Sequence, residues 1–211
     1  MMKENLSKEK FAYLFYVLKH PMDGFYEVRH RGKGSLLIAL LLVFLFSISY
    51  TINRMFASFV VNTIDPRNVD SMEDLKGVAI IYVVFCVANW SITCLLEGEG
   101  RFKDILTAVG YALLPLILTY IPATIISQFI AANEEAFYTI IIGIGTAWTG
   151  IMALIGIMTI HNYSLGKTIV TLILTIVAML IIIFLFMLLS SLVDQVYLFL
   201  RSIYTELIYR T

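Results

Sequence analysis

Three histidines, two cysteines and one charged, glycine-bearing turn are the residues of this chain whose types could do chemistry. His20 and His30 have Asp23 and Glu27 between them, and His161 stands far along the chain. No two histidines share the i, i+4 spacing that sets a pair of imidazoles on one helix face around a zinc ion. Cys86 and Cys94 lie in one apolar run. On a helix they would stand about 12 Å apart along the axis, too far for a disulfide, and both read as small buried hydrophobes. No serine sits in a G-x-S-x-G elbow. The turn at 97–104, EGEGRFKD, carries Gly98 and Gly100. A phosphate loop needs G-x-x-x-x-G-K-[ST] behind a strand, and Glu97 and Glu99 would repel a phosphate. The long apolar runs contain no Asp or Glu. The expectation is a chain that is not an enzyme and needs neither metal nor cofactor.

The elements that would hold such residues are membrane spans. The chain has 211 residues, is 60% hydrophobic and only 14% charged, against about 25% charged in an ordinary soluble domain. Apolar runs at 35–61, 78–96, 105–131, 138–160 and 168–193 each meet or approach the roughly 20 residues that cross a bilayer. The fold expected is all-α: a polytopic bundle of five transmembrane helices. The 15 basic and 15 acidic residues cancel, and nothing points to nucleic acid. Seven of the basic residues fall in 1–34. By the positive-inside rule this predicts a cytoplasmic leader and an outside tail. No cleaved signal segment is expected, because the first apolar run begins only at 35.

The division expected is a leader at 1–34, a membrane domain at 35–193 and a tail at 194–211. In the leader, Phe11, Leu14, Phe15 and Leu18 form one apolar helix face, ended by Pro21. Arg29, Arg31 and Lys33 then make a basic collar suited to anionic lipids. Arg54, late in the first span, reads as a snorkelling anchor at the headgroups. The segment 62–77 reads as a short solvated loop. The tail carries Tyr197, Tyr204 and Tyr209 and reads as an extension of the fifth helix or an interfacial helix.

Within the spans, Asn89 and Thr93 lie one turn apart and could bond across helices. Tyr111, Pro115, Leu118 and Pro122 share a face of the third span. The two prolines free the carbonyls of Tyr111 and Leu118, so this face is expected to point into the bundle at a kink. Gly110 leaves room for a neighbouring helix. Gly143, Ala147, Gly150 and Ala153 form a small-residue stripe on the fourth span, read as its packing face.

Three quoted stretches resemble the Yip1-domain membrane proteins. They are GEGRFKDILTAVGYALLPLIL at 98–118, with Gly98, Gly100, Phe102, Gly110, Tyr111 and Pro115; AWTGIMALIGIMTIHNYSLGKTIVTLILTIV at 147–177; and HPMDGFYEVRHRGKGSLLIALLL at 20–42. The resemblance covers about 15–193. It implies a five-span bundle with an inside N-terminus and, for eukaryotic members, Rab GTPases and traffic between endoplasmic reticulum and Golgi. This chain reads HPMDGFYEV where those members carry an acidic Asp-Leu-Tyr-Gly-Pro motif, which argues against a Rab-type GTPase partner. The expectation is a compact bacterial-type member in the plasma membrane, with an endoplasmic reticulum or Golgi membrane if the source is eukaryotic. Its role would be that of an adapter or scaffold for other membrane proteins. Its partners would be the lipid bilayer, other membrane proteins or a second copy of itself. The alternative is a small lipid- or solute-handling transporter, channel or transporter accessory, motivated by the double-proline helix and Arg54.

Overall fold

The computed structural model describes residues 8–62 and 64–209; the leader's first seven residues, Thr63 and the end of the tail with Arg210 lie outside the described residues. The order is α1 (Lys8–Lys19), α2 (Pro21–His30), α3 (Leu36–Phe56), α4 (Ser71–Leu95), α5 (Phe102–Ala112), α6 (Leu114–Ser127), α7 (Glu135–His161) and α8 (Leu165–Tyr209), with single 3-10 turns at Pro66–Asn68 and Ala132–Glu134. Five of these segments are long and apolar enough to cross a membrane, with α5 and α6 together making the third. The chain is an all-α, multi-pass membrane protein.

Local chemistry sets the breaks. Pro21 opens α2 at a position where its missing N–H costs nothing. Asp70 caps α4 by accepting from the Met72 N–H at 2.8 Å. The third span breaks at Leu113, whose N–H bonds to the Gly110 carbonyl at 3.3 Å. Pro115, two residues on, has no N–H to continue the ladder. Pro122 sits inside α6 without ending it. Asn162, with φ 54°, ends α7 in the left-handed conformation that favours Asn or Gly.

The leader is a packed part of the bundle. Its two helices run antiparallel: the Tyr13 hydroxyl donates to the Gly24 carbonyl at 2.9 Å and to Glu27 Oε2 at 3.1 Å. A Cβ on Gly24 would sit 2.8 Å from the Val17 backbone, so the pair needs glycine there. Leu14, Val17 and Phe25 join Ile38, Ala39, Ala108, Tyr111, Met152 and Ile160 in one buried cluster. The buried face of α1 is therefore centred on Leu14 and Val17, while Phe11 and Phe15 point outward. The expected face was offset because α1 is apolar on both sides.

Further expectations are corrected. The solvated loop is shorter than read, since α4 begins at Ser71. The sequence signal was there: Asp70 with Glu73 three residues later is a helix-start pattern. That first turn brings Asp74, nearly buried, into a spanning helix. Cys94 is exposed, and only Cys86 is buried. On the third span Tyr111 and Pro115 are buried, but Leu118 and Pro122 face outward. The helix turns its face as it passes the break.

The last helix stands apart from the rest. Forty-five residues make α8 about 68 Å long, against a hydrocarbon core of about 30 Å. Its first turns pack on α4 through Thr168, Thr171 and Thr175, all fully buried. Asn89 Nδ2 donates to Thr175 Oγ1 at 3.1 Å. Beyond Thr175 no described side chain of α8 is buried.

Candidate functional site

At the end of the bundle where the leader docks, the turn between α4 and α5 closes around one histidine. His161 is 1% exposed. The Gly100 N–H donates to its Nδ1 at 3.2 Å, which leaves the ring proton on Nε2. A Cβ on Gly98 would meet His161 Nδ1 at 2.5 Å, Thr93 Cβ at 2.8 Å and the Tyr163 hydroxyl oxygen at 2.8 Å. A Cβ on Gly100 would collide with Ile160 and the same imidazole. The two glycines are thus there for close approach. Glu97 adopts φ 58° to make the turn, and the Gly98 N–H closes it on the Thr93 carbonyl at 2.7 Å. Tyr163 stacks on His161 with ring centroids 5.3 Å apart. Its hydroxyl donates to the Leu96 carbonyl at 3.0 Å, and Lys167 lies 4.3 Å over its ring. Burial raises the Tyr163 phenol above its ordinary value. Phe102, at the start of α5, meets Trp90 edge-on at 5.7 Å.

Arg29 ties the leader to this turn. It donates to the Ile160 carbonyl at 2.6 Å and to Glu99 Oε2 at 2.8 Å. The bond from Arg29 holds the Glu99 carboxyl below its ordinary range. Arg31 and Lys33 both reach Glu27, at 2.7 and 2.6 Å, and Lys33 lies 5.4 Å over the Tyr13 ring. The Lys33 contact is the main reason that Glu27 titrates low. Burial pushes the Tyr13 phenol up, and its bond to Glu27 adds to the rise. The expected basic collar is therefore engaged largely by protein carboxylates, with Arg31 65% exposed and Lys33 48% exposed. Phe25 fills a socket floored by Gly156, where a Cβ would stand 3.4 Å from the Phe25 ring and from Ala108. Beside this socket an open cavity of about 710 Å³ is lined by Met22, Asp23, Tyr26 and His30 of α2 and by Met158, Thr159, Asn162 and Tyr163.

At the far end the polar groups are internal. Arg54 pairs with Asp74, Thr51 Oγ1 donates to Asp74 Oδ2 at 3.0 Å, and the Arg54 guanidinium lies 5.7 Å from the Tyr50 ring. Asn53 Nδ2 donates to Thr124 Oγ1 at 2.8 Å, and its oxygen accepts from the Tyr138 hydroxyl at 2.8 Å. The Ser58 N–H donates to Ser127 Oγ at 3.0 Å. Arg54, expected to snorkel, is instead a partner in an interhelical ion pair.

The remaining candidates divide. Gly110 lies against α3, where a Cβ would stand 2.7 Å from Ala39 Cβ. Tyr111 is 1% exposed, and its hydroxyl accepts from the Ser35 N–H at 3.2 Å. The stripe expected to pack does so only at Ala153, which lies against the buried cluster; Gly143, Ala147 and Gly150 are exposed, and a Cβ on either glycine would meet nothing within 4 Å. The packing glycines of α7 are Gly145, against Thr119, and Gly156. Small residues mark both sides of α7, and spacing alone does not say which side faces in. Among the described residues no group of three His, Cys, Asp or Glu could hold a metal ion. The leader-end arrangement can lock and present a surface.

A family model described as Yip1 domain matches residues 15–187. No curated protein and no solved structure matches the chain.

Proposed function

The chain belongs to the Yip1-domain family, and from that premise we propose that it is a non-enzymatic adapter that engages other membrane proteins through its leader. One observation carries the reading. The leader helices are locked into the bundle through Phe25 and Arg29, yet they turn Phe15, Tyr16, Met22 and Tyr26 outward, the last two lining the cavity next to α7. Exposed aromatic and Met side chains on a rigid support suit a protein contact. Purification from the native membrane in mild detergent, with crosslinking, tests this. Neighbours crosslinked to the wild type are expected to be lost with Phe15→Ala and Tyr26→Ala. Identical crosslinking profiles, or no neighbours at all, would end the reading.

The transport alternative rested on Arg54 and the double-proline helix. Arg54 is engaged by Asp74 and Pro122 faces outward, which supports structural roles for both. Liposome flux above that of protein-free controls, reduced by Arg54→Ala, would restore it. We place the leader on the cytoplasmic side of a bacterial plasma membrane. An impermeant label on intact cells should reach a cysteine in the tail and not one in the leader.

A further inference from the structure

The distal part of α8 carries a run of exposed apolar side chains. Leu185, Leu189, Leu192, Val196, Phe199 and Ile203 follow steps of four, three, four, three and four, the spacing of a coiled-coil seam. Each is between 42% and 65% exposed. At 100° per residue they form a single stripe, with Asp194, Gln195, Arg201, Ser202 and Thr205 away from it. The side of α8 turned to α4 is a third one, carrying Ile182, Ile183 and Phe186. We propose that this seam is a parallel dimer interface with α8 of a second copy of the chain.

Three observations choose that occupant. First, geometry argues against the lipid surface. The apolar run ends at 193, so Val196, Phe199 and Ile203, half of the seam, stand beyond the hydrocarbon. The bilayer surface could cover it only if α8 bent sharply. Residues 167–209 contain no Gly or Pro, and α8 runs unbroken past its one serine pair, Ser190-Ser191, so it shows no sharp bend. Second, the seam residues fit two strands. Leu189, Val196 and Ile203 occupy one heptad position, and Leu185, Leu192 and Phe199 the other. β-Branched residues at the first with Leu at the second favour two strands, a pattern that Val196, Ile203, Leu185 and Leu192 keep and that Leu189 and Phe199 depart from. Two copies share one orientation in a membrane, so parallel pairing about a two-fold axis is what their topology imposes. Third, covering the six side chains on both copies removes on the order of 1,200 Å² of surface, the lower edge of what a stable interface buries.

Self-association at the seam is independent of the adapter role, and its test reads nothing else. In a full-length Cys94→Ser background, in which only the buried Cys86 remains, single cysteines replace Leu189, Leu192, Val196, Phe199 or Ile203. Parallel variants place them at Ser191, Gln195 or Ser202. Oxidation in native membranes should give disulfide-linked dimers at the seam positions at least tenfold more than at the polar positions. A doubly substituted Val196→Asp, Ile203→Asp chain should sediment in mild detergent at half the wild-type protein mass. Crosslinks absent or equal on both faces would overturn the proposal, as would a wild type that sediments as a monomer at every concentration. A lipid-like emission from a dye attached through the Phe199→Cys substitution, without crosslinking, would assign the seam to the membrane instead.

Discussion

At the leader end of the bundle, charged side chains meet at the rim, while glycines and one neutral histidine meet inside; at the far end, an arginine and an aspartate meet between the spans themselves. Each rim pair has one wet partner. Glu99, Arg31 and Lys33 are 56%, 65% and 48% exposed, while Arg29 and Glu27 are 15% and 14% exposed. Water screens pairs of that kind, and holding two long side chains in place offsets most of what remains. Docking of the leader must therefore rest on Leu14, Val17 and Phe25, with the charges setting register. The Asp74 carboxylate is 5% exposed. Removing its partner leaves a charge with little water, so the same chemistry carries far more consequence there.

The largest effect expected follows from that difference. Arg54→Met should lower the thermal stability of the purified protein by about 3 kcal/mol, because the Asp74 carboxylate, 5% exposed, is left without its guanidinium. The double change Arg54→Met, Asp74→Leu should recover most of the loss, since no unpaired charge remains. Thermal unfolding in detergent measures both. A double variant as weak as the single one would show that the pair itself, and not the orphaned charge, matters. At the leader end, Phe25→Ala empties a fully buried socket and should cost about 3 kcal/mol of docking. Its readout is local: amide exchange over Lys8–His30 should rise while α4 stays protected. Equal loosening of both regions would erase the distinction between the ends.

How much of this was legible depends on the kind of signal. Five spans were legible because each is a long apolar run, and composition left no soluble alternative. The kink was legible because Pro115 lacks an N–H whatever surrounds it. Which side of a helix faces inward was not. Gly143 and Gly150 are spaced for packing as well as Gly145 and Gly156 are, yet only the latter two have neighbours, and α1 is apolar on both sides. Asp74 was missed because its helix begins with a polar turn that hydropathy assigns to a loop, although the Asp70 cap announces it. His161 drew notice only as a histidine with no partner at metal-ligand spacing. Its use as an acceptor for Gly100 depends on a fold that brings together residues 61 apart, and no local pattern encodes that.

Gly100→Ala tests this histidine contact with a smaller change. The added methyl collides with Ile160 and His161. Both are buried and have little room to yield, so a loss of about 2 kcal/mol is expected. A companion His161→Ala should relieve part of it by opening space, while losing the Gly100 bond. Additive losses in the pair of changes would mean that the glycine and the histidine do not meet in solution.

The smallest effect is that of pH on the rim, and its sign is fixed. The bond from Arg29 holds the Glu99 carboxyl below its ordinary value of 4.5. A carboxyl depressed in the folded state contributes stability above its unfolded value and loses it as pH falls through the folded one. Acidification below about pH 4.5 should therefore loosen the leader, while changes between about pH 6 and 8 should do nothing through this group. Arg29 keeps its bond to the Ile160 carbonyl, which does not titrate, so the loosening should stay under about tenfold in exchange rate, as for an exposed pair. Glu99→Gln should flatten the Glu99 share of that response at every pH. If Glu99→Gln instead frees the leader as fully as Phe25→Ala does, the rim is the lock, and the contrast between a wet, register-setting end and a dry end that carries the stability is wrong.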